Sequence, residues 1–339
     1  MLVLGIETTC DETAASIVED GENILSHVVF SQADIHKNFG GVFPEVASRS
    51  HVKKILPIID QTLSKANINP SNIDLIAVAS GPGLIGSLLI GVNVAKTLSL
   101  AWKKPLIGVN HIEAHLYAAM MGKLSSVSFP SLGVVISGGH TMILAINDLG
   151  DYQILGQTID DAIGEAFDKV ATILGLSYPG GPHIELLAQR GNPLSYPFKS
   201  GRVKNNPYDF SFSGLKTKVL YTAKGQKAGK NSPFLLDESE KAHIAASFQY
   251  TAFSDLIKKS LLAAKDYNFS SIYLGGGVSN NKKLKEMFFS TSPIPCHFPI
   301  AGLSMDNAAM IAGLGYQKFF KTKIGDNLSL QAKSRWSFA

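Results

Sequence analysis

The sequence predicts an α/β protein made of two related subdomains with helical insertions. Apolar strand patterns alternate with helical patterns, as expected for a sheet with helices on its faces. The order of apolar strand, polar tip and apolar strand in LGIETTCDETAASIV (4–18) recurs in LGVVISGGHTMILAI (132–146). Since 339 residues also exceed the usual size of one domain, we expect two halves that each open with a hairpin whose tip faces a shared cleft.

The first half contains the clearest elements. We place the N-terminal subdomain at 1–125 and expect a C-terminal helix over 305–325 to complete it. The C-terminal subdomain then covers 126–304, with a basic insertion around 185–240 where Pro, Asn, Lys and Ser are frequent. The strand and helix patterns of the first half cover residues 2–8, 14–20, 73–80, 84–101 and 105–110.

The composition narrows the class of protein. With 45% hydrophobic residues the chain can bury a large core, and its two cysteines, Cys10 and Cys296, exclude a disulfide framework. The N-terminus lacks the basic start of a signal peptide, and Asn93 and Lys96 interrupt the apolar run 84–102. These features predict a cytoplasmic protein. The net charge of +4 is compatible with an RNA partner without requiring one.

A glycine-rich turn connects the third strand to the helix that follows it. Gly81, Gly83 and Gly86 have the G-x-G-x-x-G spacing of a dinucleotide site, which also needs an acidic residue about twenty positions later. Residues 100–112 contain no acid, and Pro82 removes a backbone donor. We therefore predict a tight turn that packs the helix on the strand.

Two histidines occur four residues apart in VNHIEAHLYAAM (109–120), so a helix would place His111 and His115 on one face. The metallopeptidase pattern H-E-x-x-H needs a glutamate directly after the first histidine. Here Glu113 is about 200° around the helix from His111, on the side away from a shared metal. The peptidase interpretation is therefore poor, and metal binding and simple packing both remain open.

A metal site would need a third ligand, and the best candidate is Asp306 in GLSMDNAAMIAG (302–313). The alternative role for an Asp before an apolar run is to cap the helix. Two histidines and one carboxylate with open positions suit Fe(II), or zinc that also binds a water or substrate. The residue types alone do not choose between these metals.

Two later motifs are rich in glycine. VISGGHT (135–141) ends a strand with adjacent glycines, which let a ligand approach the backbone, although an ordinary hairpin turn is the alternative. SSIYLGGGVSNN (270–281) reads as a strand ending in a triple-glycine turn before a helix. Free backbone N–H groups at such a position bind anions.

An acidic segment lies between these two motifs. TIDDAIGEAFDK predicts a helix that starts near residue 158, with Asp161, Glu165 and Asp168 in one stripe opposite Phe167. Such a stripe is usually solvated. Asp168 is the member that could instead bind hydroxyl groups of a ligand, with YPGGP (178–182) closing the site behind it.

Ten motifs in order along essentially the whole chain resemble one family. They are GIETTCDET, GGVFPEVASRSH, SGPGLIGSLLIG, NHIEAH, VISGGHT, DDAIGEAFDK, YPGGPHIE, DFSFSGLKT, GGGVSNN and MDNAAMIA. The chain is similar to the bacterial tRNA N6-adenosine threonylcarbamoyltransferases (TsaD), once called O-sialoglycoprotein endopeptidases. The resemblance implies an actin/sugar kinase/Hsp70-like fold with two α/β halves around a nucleotide cleft. It also implies transfer of a threonylcarbamoyl group from threonylcarbamoyl-adenylate to the N6 amine of the adenosine 3′ of the anticodon, in tRNAs reading codons that begin with A.

The resemblance assigns roles to individual residues. It implies one divalent metal, with Fe(II) favoured and Zn(II) as the alternative, on His111, His115 and Asp306. Asp11 and Glu12, on the first hairpin tip, are candidates for the general base by position only. Many relatives carry Asp where this chain has Glu185. The implied contacts with the adenylate-type substrate are Val135, Ile136, Ser137, Gly138, Gly139, Asp168, Gly181, Glu185 and Asn281.

The implied partners are tRNA, a smaller paralogous subunit (TsaB) and an ATPase subunit (TsaE), with no membrane. Three alternatives remain at this point. The first is a kinase or ATPase of the same fold that binds ATP and magnesium. The second is the metallopeptidase of the older family name, and the third is a scaffold that only binds nucleotide.

Overall fold

The computed structural model describes residues 1–226, 232, 235 and 237–336. The chain forms two compact units, and the first is assembled from separate parts of the sequence. Unit 1 contains Met1–Val127, Asp148–Tyr152 and the segment that starts at Phe298. Unit 2 contains Ser128–Asn147 and Gln153–His297.

Ten strands and ten α-helices are found in the described part of the chain. The strands are β1 (Leu2–Glu7), β2 (Glu12–Glu19), β3 (Asn23–Ser31), β4 (Leu75–Gly81), β5 (Leu106–Asn110), β6 (Ser131–Ile136), β7 (Thr141–Asp148), β8 (Asp151–Gln157), β9 (Ile272–Gly275) and β10 (Cys296–His297). The helices are α1 (Ala33–Lys37), α2 (Pro44–Ala66), α3 (Ile85–Trp102), α4 (His111–Ala118), α5 (Ile163–Ile173), α6 (Gly180–Ala188), α7 (Ser213–Lys224), α8 (Glu238–Asp266), α9 (Lys282–Thr291) and α10 (Ala308–Thr322).

Unit 1 contains a five-stranded mixed sheet in the order β3-β2-β1-β4-β5. Strands β1 and β2 form an antiparallel hairpin in which Gly5 is opposite Ser16, and β3 continues it on the β2 side. On the other side, β4 and β5 are parallel to β1. Parallel neighbours need crossover connections, and α2 and α3 supply them.

Alternating apolar side chains give this sheet a helix layer on each face. Leu4 and Ile6 pack with α2 and α3, whereas Val3 packs with α4 and α10 on the opposite face. Gly5 allows α10 to lie flush against β1, because a Cβ at Gly5 would be 2.2 Å from the carbonyl oxygen of Ala308. This close packing fixes the start of α10 beside α4, which is where the candidate metal ligands lie.

The glycine-rich turn after β4 packs α3 on the end of β1, as predicted. A Cβ at Gly83 would be 2.6 Å from the carbonyl oxygen of Thr9, and one at Gly91 would be 2.3 Å from Thr8 Oγ1. The hydroxyl of Thr8 donates a hydrogen bond to the carbonyl of Ser87 at 3.0 Å. These glycines are thus used for close helix packing.

Unit 2 contains a second five-stranded sheet, in the order β10-β9-β6-β7-β8. Strands β6 and β7 form an antiparallel hairpin, and β9 and β10 run parallel to β6 on its other side. This arrangement matches that of unit 1, so the predicted recurrence of 4–18 in 132–146 is confirmed as two hairpins at the same place in two sheets. The predicted strand and triple-glycine turn before a helix are confirmed in β9 and α9.

The start of the acidic helix was predicted wrongly. Helix α5 begins at Ile163, and residues 158–162 form a turn and a short extended segment. Asp160 accepts N–H groups from Phe212 and Ser213 at the start of α7, so its carboxylate holds a distant helix. The apolar side is as predicted, since Phe167 packs against two phenylalanine rings of α8.

Part of the predicted basic insertion, including residues 227–231, 233, 234 and 236, lies outside the described residues. One described helix, α3, is long and apolar enough to span a membrane by length and composition. Leu88, Val92 and Ala95 of this helix are buried in unit 1. Core helices of globular proteins satisfy the same criteria, so this helix by itself does not indicate a membrane protein.

Candidate functional site

Three predicted metal ligands converge in unit 1. His111 and His115 lie on one face of α4, and Asp306 lies two residues before α10. The Nε2 atoms of the two histidines are 3.1 Å apart, and Asp306 Oδ1 is 3.5 Å from His111 Nε2 and 3.1 Å from His115 Nε2. The two imidazole rings meet edge to face, at an interplanar angle of 75°.

This arrangement fits a bound metal ion. For metal–ligand bonds of about 2.1 Å, neighbouring ligand atoms are about 3.4 Å apart in a tetrahedral site and about 3.0 Å apart in an octahedral one. The three observed separations, 3.1, 3.1 and 3.5 Å, each lie close to one of these values. Two imidazole nitrogens pointed at each other and at a carboxylate oxygen are better explained by a shared cation than by packing alone.

Asp306 does not serve as the helix cap, which was its alternative role. Asn307 is the N-cap of α10, and its side-chain oxygen accepts the N–H of Met310 at 2.9 Å. Asn110 caps α4, the helix that carries the two histidines, by accepting N–H groups from Ile112 and Glu113. Two asparagine caps therefore fix the starts of both helices and leave Asp306 directed at the histidines.

Glu7 is part of the same centre and was missed from the sequence. It is fully buried on β1, and its Oε2 is 2.9 Å from His111 Nδ1. Its other oxygen accepts the N–H of Thr9 at 2.5 Å. With the proton of His111 on Nδ1 and donated to Glu7, the Nε2 lone pair is directed toward His115 and Asp306. A carboxylate in an otherwise apolar strand was the signal available in the sequence.

Burial and the mutual charges of these side chains shift the pKa values at this centre. Burial alone would lower the pKa of His111, but the charges of Glu7 and Asp306 outweigh it and raise that pKa well above its usual value. Burial, together with the charge on His111, lowers the pKa of His115. Burial opposes ionisation of Asp306, yet the two histidines hold its pKa far below the usual range. In addition, His115 Nδ1 is buried with no hydrogen-bond partner among the described residues.

Glu113 lies apart from the three ligands. Its side chain is buried, and its charge interacts with Lys318 of α10. Burial raises its pKa, and Lys318 only partly offsets this effect. Glu113 thus does not occupy the general-base position of an H-E-x-x-H metallopeptidase, in agreement with the spacing argument.

The tip of the first hairpin carries the candidate bases. Asp11 precedes β2, and Glu12 begins it, with Glu12 Oε1 accepting a hydrogen bond from the hydroxyl of Ser31 at 3.1 Å. Burial of the carboxyl, followed by the charges of Asp306 and Asp11, raises the pKa of Glu12 to about 9. Burial and Asp11 likewise raise the pKa of the Cys10 thiol well above its usual value. The tip is therefore close enough to Asp306 for their charges to interact.

In unit 2, two of the predicted substrate residues, Val135 and Ile136, are fully buried at the carboxyl end of β6, and three others follow that strand. Ser137, Gly138 and Gly139 follow β6, and among the described residues no atom beyond the chain neighbours lies within 4 Å of a Cβ built on either glycine. Gly164, in the first turn of α5, packs on this loop, since its Cβ would be 2.6 Å from the carbonyl oxygen of Ser137. Ligands of α/β sheets bind at such strand ends, and these glycines leave their backbone accessible.

The other predicted substrate residues hold the neighbouring helix starts. Asp168 Oδ1 accepts the N–H of Gly180 at 2.7 Å, at the first residue of α6. Glu185 Oε1 accepts the N–H of Lys282 at 2.8 Å, at the first residue of α9. Asn281 caps α9 through Oδ1 and donates from Nδ2 to Gln249 at 3.0 Å. A Cβ at Gly181 would meet no atom within 4 Å in the part of the chain that the structure describes, apart from its chain neighbours.

Asp161 belongs to an ion-pair network and not to a solvated stripe. Its two oxygens accept hydrogen bonds from Lys169 and Lys216, each at 2.6 Å, and Lys169 also reaches Glu165 at 2.8 Å. Burial alone would raise the pKa of Asp161, but the two lysines outweigh it and lower that pKa. The network links α5 to α7 beside the Ser137–Gly139 loop.

Comparison of the sequence with known proteins gives consistent matches. A family model described as tRNA N6-adenosine threonylcarbamoyltransferase matches residues 23–313. A protein of that name from Protochlamydia amoebophila is 56% identical over 336 residues, which cover 99% of this chain and 98% of the relative. Another from Dictyoglomus turgidum is 48% identical over 326 residues, covering 95% of this chain and 94% of the relative.

Solved structures share the fold at low sequence identity. Full-length HypF in its phosphate- and nucleotide-bound form matches with a TM-score of 0.62 at 13% identity, over 96% of this chain and 47% of that one. Component A of the (R)-2-hydroxyglutaryl-CoA dehydratase of Acidaminococcus fermentans matches with a TM-score of 0.54 at 13% identity, over 94% of this chain and 98% of that one. These matches confirm the predicted actin-like class with two α/β subdomains.

Proposed function

The chain belongs to the tRNA N6-adenosine threonylcarbamoyltransferase family, and we propose from this that it transfers a threonylcarbamoyl group to the N6 amine of an adenosine in tRNA. The donor is threonylcarbamoyl-adenylate, and the acceptor is the adenosine just 3′ of the anticodon, in tRNAs reading codons that begin with A. The observation that carries the proposal is 56% identity to a relative of that name over 99% of the chain.

The balanced reaction determines what the protein has to do. The N6 nitrogen attacks the carbamoyl carbon of the mixed anhydride, the bond from that carbon to the phosphate oxygen breaks, and AMP leaves. Because the donor is already activated, the protein mainly positions the two reactants and stabilises the negative charge on the leaving phosphate. One proton must also leave the attacking amine.

We propose that His111, His115 and Asp306 hold one divalent metal, with Fe(II) favoured and Zn(II) as the alternative. The ligand separations of 3.1 to 3.5 Å and the close approach of two imidazole nitrogens and one carboxylate oxygen support this assignment. Imidazole and carboxylate ligands suit both metals. When bound, such a cation supplies positive charge that anchors and polarises donor oxygens.

For the donor, we propose contacts with the backbone of Val135, Ile136, Ser137, Gly138 and Gly139 and with Gly181. The accessible faces of Gly138, Gly139 and Gly181 support these contacts, because backbone N–H groups at helix starts and glycine turns bind phosphate. Asp168, Glu185 and Asn281 are proposed to contact donor hydroxyl groups. Their hydrogen bonds to helix starts would at the same time hold these glycine turns in place.

The proton of the attacking amine is assigned to Asp11 or Glu12. Both lie on the hairpin tip whose charges interact with Asp306. A base must be ionised to accept a proton, and the pKa of Glu12 is about 9 because of burial and the neighbouring carboxylates. A cation bound at Asp306 would lower this pKa by Coulomb attraction. An unchanged transfer rate in Glu12→Gln would exclude Glu12 and leave Asp11.

The proposed partners are tRNA, the smaller paralogous subunit TsaB and the ATPase subunit TsaE, and the proposed location is the cytoplasm. Family membership supports tRNA as the substrate. Anticodon-loop adenosines are unpaired, so the target base can be exposed without breaking a duplex. Lys53 and Lys54 are exposed on α2 and are candidates for phosphate contacts, for which affinity falls as salt is added.

The reaction is tested by combining the purified chain, its presumed partner subunits, threonylcarbamoyl-adenylate and unmodified tRNA, with nucleosides analysed by mass spectrometry. We expect threonylcarbamoyladenosine from the wild type. The double variant His111→Ala and His115→Ala should bind no stoichiometric metal and form no product. Full product from that variant would return the histidines to a structural role. No product from the wild type with active partners would overturn the proposed reaction.

A further inference from the structure

A short loop, residues 38–43, joins α1 to α2 and presents two exposed aromatic rings. Phe39 and Phe43 are 56% and 47% exposed, and their ring centroids are 5.5 Å apart at an interplanar angle of 27°. Between them, Gly40 and Gly41 have φ of +70° and +157°, and a Cβ on either would meet no described atom within 4 Å. The loop is thus a stacked aromatic pair, here called the Phe39–Phe43 platform, bordered by bare backbone.

The platform is held in place by one buried histidine. The carbonyl oxygen of His36 accepts the N–H of Phe39 at 2.9 Å and that of Gly41 at 3.4 Å. The side chain of His36, which is fully buried, accepts the N–H of Phe43 at Nδ1 at 3.3 Å. Both aromatic residues are therefore held through their backbone N–H groups by the same residue, Phe39 by the carbonyl of His36 and Phe43 by the side chain of His36, which makes the exposed pair preorganised.

The same segment is tied to the hairpin tip beside the metal ligands. Gln32, which precedes α1, donates its N–H to the carbonyl of Asp11 at 3.2 Å. His51 of α2 donates from Nε2 to the carbonyl of Cys10 at 2.9 Å and accepts from the hydroxyl of Thr13 at Nδ1 at 2.8 Å. Since α1 has only five residues, or about 8 Å of helix, the platform begins a short distance from the tip.

Charge and chemistry indicate what this platform binds. Lys37, at the end of α1, is an exposed cation two residues before Phe39, whereas the exposed acid Asp34 lies in the first turn of that helix, five residues before Phe39. The negative charge of Glu45 is paired with Arg49 at 2.6 Å. Exposed aromatic rings next to a cation are the surface on which unpaired nucleobases stack beside their phosphates. A loop of tRNA supplies such bases around the adenosine to be modified.

We propose that the Phe39–Phe43 platform stacks an unpaired base that neighbours the target adenosine, and so holds the anticodon loop against unit 1. The inference rests on the proposed function, because it takes tRNA as the substrate. The proposal gives a role to the segment GGVFPEVASRSH (40–51) and to His36, which precedes it. Neither takes part in the proposed metal and donor sites. Phe39 and Phe43 are binding residues in this proposal and have no part in the chemical step.

The test uses four variants of the full chain with its presumed partners. In Phe39→Ala/Phe43→Ala both rings are removed, in the double Tyr variant the rings are kept, and in the double Leu variant only apolar volume is kept. Phe289→Ala, at a ring that is 63% exposed on α9, is the matched control. The probe is unmodified tRNA with 2-aminopurine beside the target adenosine, whose fluorescence falls when that base stacks. Kinetics with ordinary tRNA accompany the titrations.

Loss of base stacking is expected to weaken tRNA binding and raise the KM for tRNA by about 5- to 150-fold in the double Ala variant. The KM for the donor should stay unchanged, the probe should not be quenched, and thermal melting should match the wild type. The Tyr variant should behave like the wild type and the Leu variant like the Ala variant. Phe289→Ala should have no effect.

Three results would overturn the inference. The first is an active double Ala variant that binds tRNA with wild-type affinity. The second is full rescue by Leu, which would indicate an apolar protein contact. The third is loss of partner-subunit binding with tRNA affinity intact. A wild type that makes no threonylcarbamoyladenosine at all would instead count against the proposed function, so the two failures are distinguishable.

Discussion

Replacing Glu7 with Gln tests whether this carboxylate orients the metal centre. Glu7 accepts N–H groups from Thr9 at 2.5 Å and, at its other oxygen, from His111 Nδ1 at 2.9 Å. Gln offers a single acceptor oxygen. Either the N–H of Thr9 loses its partner, or the amide NH2 faces Nδ1 and shifts the ring proton to Nε2. In the second case, the nitrogen that faces the metal no longer has a lone pair.

The expected loss of metal affinity can be bracketed. Adding about 2 Å each for the imidazole ring and the metal bond to the 2.9 Å hydrogen bond puts the carboxylate about 7 Å from the metal. At an effective dielectric constant of about 20, its attraction for a divalent cation is about 5 kcal/mol. This is an upper limit, because neutral Gln keeps a dipole and avoids burying a charge. Losing such an outer partner typically weakens metal binding about 10- to 100-fold, or about 1.4 to 2.8 kcal/mol, and we expect this range.

The measurement is competition between the protein and a chromophoric chelator for Zn(II), with Co(II) absorption as a report on coordination. Glu45→Gln, at an exposed acid on α2, is the control for a lost negative charge. If Glu7→Gln binds metal within about twofold of the wild type, Glu7 does not orient His111 and the reasoning is wrong. Equal losses in both variants would refute it as well, since they would reflect net charge.

Three further predictions concern stability and helix positioning. Asn307→Ala should cost about 2 kcal/mol or more, because it removes the cap of α10 and also the buried hydrogen bonds from Nδ2 to the carbonyls of Leu303 and Met305, and it should weaken binding of the proposed metal. Asp237→Ala, at the exposed cap of α8, should cost about 1 kcal/mol in urea unfolding and leave metal affinity unchanged. Gly276→Ala should lower the free energy of unfolding by about 2 kcal/mol or more, because φ is +93° and the new Cβ would lie 2.4 Å from a carbonyl oxygen of β6. A variant that unfolds in urea at the wild-type midpoint would contradict this prediction. Asp161→Asn should lose about 1 kcal/mol at neutral pH, after allowance for solvent screening of its two lysine partners. The pKa of Asp161 is lower in the folded protein than in the unfolded chain, so its ion pairs stabilise the folded state fully above the usual Asp pKa. This stabilisation is lost as the pH falls through the lowered pKa. The unfolding curves of the variant and the wild type should therefore converge in acid.

The two opening hairpins and strands β4, β5 and β9 could be predicted because strand alternation and turn residues are local properties of the sequence. The edge strands β3, β8 and β10 were not predicted. The start of α5 could not be predicted. Residues 158–162 are compatible with a helix, but the carboxylate of Asp160 binds N–H groups at Phe212 and Ser213, more than fifty residues away. A tertiary contact of this kind overrides the local preference for a helix. The sequence of residues 158–162 and their neighbours contains no signal for this contact.

The candidate site also has residues that the sequence could predict and residues that it could not. The pairing of His111 with His115 follows from a spacing of four in a helix. Asp306 could be proposed only as an acid before a helix, because packing of α10 on β1 and α4 brings it to the histidines. Glu7 was missed, since within LVLGIET one acid reads as the end of a strand. The backbone contacts of Phe39 and Phe43 with His36 likewise depend on a loop conformation that the amino-acid sequence alone does not specify.

The discontinuity of unit 1 has a consequence for the synthesis of the chain. Strands β1–β5 and α4 leave the ribosome first, but the sheet face that Gly5 presents to α10 stays uncovered until Ser128–His297 have been made. At about 5 to 20 residues per second, this interval lasts roughly 10 to 30 seconds. During that time the nascent chain carries an apolar face that a chaperone could bind. A polypeptide released before Asp306 has been made has both histidines but lacks the third proposed ligand, so the proposed metal site is complete only in chains that extend past Asp306.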